Sequence, residues 1–192
     1  VCNWHKNQKT MQVGGKTDDM GWPAYDACLS EGAIIATAHE HSYQRTKSLV
    51  SLHEANGIVV NPEFTNPNDL KVYDGSTFAF VSGLGGKSIR NQERCMPTEY
   101  PYGCNQEWAK IYTSNQGAKY GALFIEFNPD GDPYKANGYF KNVNNEVVDT
   151  FTITRMEGTT TTATPNLTQS PTPTIMFTIT PTVSLSSTPT PI

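Results

Sequence analysis

His39 and His41 stand one residue apart at the end of an apolar, β-branched run, Ala33 to Ala38, and a third histidine, His5, follows Val1–Cys2–Asn3–Trp4. Side chains alternate along an extended chain, so His-x-His at the end of a strand turns both imidazoles to one side. Convergent imidazoles are ligands for divalent transition metals. His5 can join the pair if its strand lies parallel to theirs, because both strand ends then open on the same edge of the sheet. Histidines at this spacing also occur in packed cores, so the third one carries much of the weight. Tyr43 and Arg45 continue the alternation past His41. The fourth histidine, His53, reads as a solvated loop residue.

The elements that must position these residues are legible in outline. Val1 to His5 reads as the exit of a strand. A helix is expected from about Trp22 to Ser30, with Asp18 or Asp19 as its cap, Pro23 in its first turn and Gly32 at its end. The run ending at His39 is a buried strand, because it is short, β-branched and preceded by a glycine. Strand, loop, helix, strand suggests an α/β layer with parallel pairing. Asn56–Gly57 marks a turn, and Asn61 to Asp69 reads as a surface loop. Thr77 to Ser82 is a strand running into Gly83–Leu84–Gly85–Gly86, which reads as a tight turn beside the site. Lys87 to Gly117 reads as loop-rich and aromatic. Tyr120 to Phe127, Ala136 to Lys141 and Val147 to Arg155, joined by short turns, form an antiparallel meander. The expected fold class is therefore mixed, α/β early and strand-rich late (α+β).

Composition narrows the partners. The chain carries 14 Lys and Arg against 18 Asp and Glu, a net charge of −4, with no basic block. Nucleic acid and anionic membranes are excluded as expected partners. No apolar run is long enough for membrane insertion. Of the four cysteines, Cys95 and Cys104 bracket a turn-rich loop and are expected to form a disulfide. Cys2 and Cys28 are left open between a second bridge and buried thiols. No Cys-x-x-Cys occurs, which excludes a zinc ribbon. From Glu157 to Ile192 the chain holds 13 Thr, 6 Pro and 4 Ser among 36 residues. A segment so poor in apolar residues reads as a disordered linker or stalk, with a glycosylation sequon at Asn166. The expected division is residues 1–156 as the folded part and 157–192 as the stalk, with a further domain possible beyond it. Val1 to His5 looks like the middle of a structured element, so the chain is expected to be an internal piece of a longer protein.

The segments WHKNQ, GAIIATAHEHSYQRT and FVSGLGG, in that order, resemble the C-terminal part of the catalytic domain of calcineurin-like metallophosphoesterases, near the purple acid phosphatase branch. The likeness spans Val1 to Arg155 and rests on His5, His39, His41, Tyr43 and Arg45. Ala38 departs from it, since the family usually has Gly there. The resemblance implies the C-terminal half of a β-sandwich flanked by helices. It also implies a secreted or surface-attached hydrolase of phosphate esters. His5, His39 and His41 would be metal ligands, and His39 and His41 catalytic, in a centre of two transition metal ions, iron, manganese or zinc. The family's Asp-x-His, Gly-Asp-x-x-Asp and Gly-Asn-His motifs, which complete that centre, do not occur in this sequence. The chain alone is therefore expected to be inactive or nearly so. Asn7 and Arg45 are candidate substrate contacts, with a structural salt bridge as the competing role for Arg45. A non-catalytic surface binding module, or a degenerate phosphatase-like domain on a stalk, is the alternative reading.

Overall fold

The computed structural model describes residues 1–157; the stalk from residue 158 and the Asn166 sequon lie outside the described residues. The elements run β1 (Cys2–Asn3), α1 (Pro23–Ser30), β2 (Ile35–Thr37), β3 (Tyr43–Thr46), β4 (Leu49–His53), β5 (Gly57–Val60), β6 (Asp69–Val72), β7 (Ala79–Ser82), β8 (Trp108–Tyr112), β9 (Gly121–Phe127), β10 (Lys135–Asn142) and β11 (Val147–Arg155). Among the described residues the protein is α+β: mostly strands, in three sheets, with one α-helix and three single-turn 3₁₀ segments.

The first sheet has the order β1-β2-β7-β3-β8. β1, β2 and β7 are parallel, whereas β3 runs antiparallel to both β7 and β8. The second sheet has the order β6-β11-β10-β9, in which β9, β10 and β11 make the expected meander and β6 joins β11 in parallel. β4 and β5 form a separate hairpin around the Asn56–Gly57 turn.

Two layers of core lie on either side of the first sheet. Ile35 packs with Tyr25 and Leu29 of α1 and with Leu49 and Leu52 of β4. Its neighbour Ile34 packs on the other side with Leu70, Val72, Phe151 and Ile153 of the second sheet. The unbroken apolar run before His39 thus reflects burial on both faces. A disulfide between Cys2 and Cys28 ties β1 to α1, and another joins Cys95 to Cys104. The first settles a pairing that the sequence left open. The second is the expected bridge.

Several expectations are corrected. The helix starts at Pro23, and its N-cap, Trp22, makes no side-chain cap. Asp18 instead closes the preceding turn, accepting from the Met20 and Gly21 amides at 3.1 and 2.8 Å. The loop-rich stretch from Lys87 contains β8, and β3, β4, β5 and β6 are strands not assigned from sequence. β3 is buried at all four positions, so no alternation marks it. Gly32 does end the helix, at φ +59°, with its amide on the Leu29 carbonyl at 3.0 Å. A Cβ there would stand 2.5 Å from the Tyr73 backbone, so the left-handed turn and the close approach both require glycine.

Candidate metal centre

The parallel register of β1 and β2 brings the first two histidines together. Cys2 pairs with Ile35 and Asn3 with Ala36. The pairing persists past the strand ends, because the Ala38 amide donates to the His5 carbonyl at 3.2 Å. His39 follows immediately, and its Nδ1 lies 3.1 Å from His5 Nε2. Asn7 braces this junction by donating from Nδ2 to the Ala38 carbonyl at 3.1 Å. Asn7 is fully buried, so it acts as a brace and not as the substrate contact that its position suggested.

His39 adopts φ +45°, a left-handed conformation that a non-glycine residue seldom takes. Such backbone strain concentrates at functional sites. Burial, then the nearby Lys16 and His5, hold the His39 imidazole below its usual pKa. Burial, then Lys16, does the same for His41, against the raising effect of the Ser88 hydrogen bond. Both rings are therefore neutral at pH 7, the form that binds metal. His41 Nδ1 lies 2.9 Å from the Ser88 carbonyl. A carbonyl only accepts, so Nδ1 carries the proton and Nε2 keeps its lone pair for a ligand. A backbone partner of this kind fixes tautomer and ring orientation in metal sites.

A carboxylate also reaches the pair. Asp19 Oδ2 is 3.7 Å from His39 Nε2, and its Oδ1 is 3.6 Å from Lys6 Nζ. Sequence reasoning assigned Asp19 to helix capping. The Asp18–Asp19 doublet was the available signal, with one aspartate sufficing for the turn and the other free to face the histidines.

The donor set fits a transition metal. Two nitrogens each about 2.1 Å from one ion would lie about 3.0–3.4 Å apart, depending on coordination geometry, and the His5–His39 separation falls within that span. A second close group, Cys95, Cys104 and Glu107, does not fit. Its sulfurs are joined in a disulfide and offer no thiolate, and Glu107 already accepts from the Asn105 amide at 2.8 Å.

The remaining candidates fall outside the centre. Arg45 is fully buried, with its Nε 2.8 Å from Asp149 Oδ2 and its Nη2 3.0 Å from Oδ1. Tyr43 donates to the same carboxylate at 2.7 Å. Arg45 therefore holds the structural salt bridge and is not available to substrate. Gly83 lies against the histidine loop, its amide on the Ser42 carbonyl at 2.9 Å. A Cβ there would stand 1.9 Å from the Glu40 carbonyl oxygen. The glycine turn thus abuts the site, as its composition suggested. A shallow cleft of about 260 Å³ lined by Asn3, Trp4, His5 and Ala36–Ala38 opens beside His5. An apolar groove of about 350 Å³ sits at the opposite end of β2, around Gly32, Phe127 and Tyr134.

No protein-family model, curated protein or solved structure matches the chain.

Proposed function

We propose that this chain is the imidazole-bearing part of a metal-dependent phosphoesterase, with His5 and His39 on one ion and His41 on a second. The observation that carries the reading is the 3.1 Å approach of His39 Nδ1 to His5 Nε2 across two parallel strand ends. The resemblance in the three histidine and glycine segments supplies the reaction class and, with it, the sandwich architecture. A pair of transition ions supplies a hydroxide at neutral pH and a clamp on the phosphoryl oxygens.

The chain's own residues orient and bind. The β1–β2 register sets the distance between His5 and His39, Asn7 locks the junction, and the Ser88 carbonyl fixes the His41 tautomer. Two disulfides fit an oxidising compartment, and secretion or surface attachment is part of the same proposal. The carboxylate ligands would come from the motifs that this sequence lacks.

The test is hydrolysis of p-nitrophenyl phosphate by the product of the whole reading frame that contains this chain. Replacing His39→Ala with His41→Ala is expected to abolish turnover and to lower bound transition metal. Unchanged turnover in that double variant would refute the reading.

A further inference from the structure

His39 and His41 flank Glu40, which is fully buried. Neither of its carboxylate oxygens has a hydrogen-bond partner of ordinary geometry among the described residues. A carboxylate in that state is costly unless its charge is used. Its enclosure is specific: a Cβ on Gly14 would stand 2.3 Å from Glu40 Cδ, so the glycine backbone lies directly on the carboxylate.

Two cations share this pocket. Arg90 Nε is 3.8 Å from Glu40 Oε1, and the Arg90 amide donates to the His41 carbonyl at 3.0 Å. Lys16 donates from Nζ to the His39 carbonyl and acts electrostatically on Glu40. The Lys16 ammonium is thus anchored on the His39 backbone, and the backbone of Arg90 on that of His41. Lys16 acts on both imidazoles, and Arg90 on that of His41. Fixed positive charge beside metal ligands opposes a divalent cation. Asp19 faces His39 from one side, paired with Lys6, and Lys87 adds positive charge near His41. Burial pushes the Glu40 carboxyl above its ordinary range, and Arg90 and then Lys16 pull it back toward the charged form, so Glu40 is the buried carboxyl that faces both cations.

We propose that Glu40 is a positioning residue that neutralises Lys16 and Arg90 under the histidine loop and thereby lets His39 and His41 hold a divalent cation. This rests on the metal-centre reading above and adds a residue to it. Glu40 acts through the two cations and need not touch the metal itself.

The experiment is Co²⁺ titration of the 192-residue chain, followed by the visible absorption of the bound ion, for the parent and for Glu40→Gln, Lys16→Gln and the two combined. Glu40→Gln is expected to weaken Co²⁺ binding by about tenfold or more, the scale of residues that support metal ligands. Adding Lys16→Gln is expected to restore most of that loss. A role confined to packing would give no such rescue. Parent-like binding by a folded Glu40→Gln chain, or loss without rescue, would overturn the proposal. If Glu40→Gln does not fold, Lys16→Gln and Arg90→Gln alone read the coupling from the other side. Each is expected to tighten binding severalfold, and unchanged affinity in both would overturn the proposal. Failure of the metal-centre reading looks different: the parent chain would bind no Co²⁺, or would bind it as well with His39→Ala.

Discussion

Arg45 and Tyr43 meet at one acceptor, Asp149, and this buried knot joins β3 of the first sheet to β11 of the second. Burial pushes the Asp149 carboxyl up, but the Arg45 hydrogen bonds and charge, with the Tyr43 hydroxyl, outweigh it and hold the carboxyl below its ordinary value of 3.8. An acid with a depressed folded-state pKa contributes stability above its unfolded pKa and loses it as pH falls through the folded one. Acid unfolding followed by circular dichroism should therefore show a stability loss beginning below about pH 4 that is absent in Asp149→Asn. Replacing Asp149 by Ala leaves Arg45 buried without its counter-charge, and denaturant unfolding should register a loss of about 3–5 kcal/mol. Arg45 also stacks 4.2 Å from the Phe151 ring centroid, so its own removal costs packing as well as charge.

At the scale of elements, the short pieces around the histidines depend on clamps. β1 has two residues and β2 three, too few to hold a register by themselves. The Cys2–Cys28 bridge fastens β1 to α1, whose Tyr25 and Leu29 pack on β2. Cys28→Ser should lower thermal stability by about 3 kcal/mol from the closed loop alone. It should also separate His5 from His39 and weaken metal binding, whereas Cys95→Ser with Cys104→Ser should lower stability without that second effect. Differential scanning calorimetry beside metal titration distinguishes the two. Gly32→Ala combines a left-handed backbone with a clash against Tyr73 and should cost more than the roughly 1 kcal/mol of an ordinary left-handed site, measured by urea unfolding.

Across the whole molecule, the sequence revealed the parts whose periodicity is simple. The meander from Gly121 to Arg155 alternates between a buried and an exposed face and was readable. So was the apolar run into His39, because burial on both faces leaves an unbroken hydrophobic string. β3 was hidden for a different reason. Gln44, Arg45 and Thr46 are polar yet buried, and each bonds a partner distant in sequence (Val13, Asp149 and Ala79), which no local rule foresees. The same blindness affected Asn7, whose amide serves the Ala38 carbonyl, and Asp19, whose carboxylate faces His39. The meeting of His5 and His39 was legible because a search for ligand chemistry narrows attention to a few residue types. The groups that position them were not, because many side chains can brace a loop.

The central claim is that His5 and His39 are two ligands of one metal ion. The most direct measurement is Zn²⁺ titration of ¹⁵N-labelled protein, read on the imidazole nitrogens. The expected result is that His5 Nε2 and His39 Nδ1 shift together in one saturating step, and that His39→Ala abolishes the His5 response. Shifts at only one of the two rings, or a His5 response that survives His39→Ala, would contradict it.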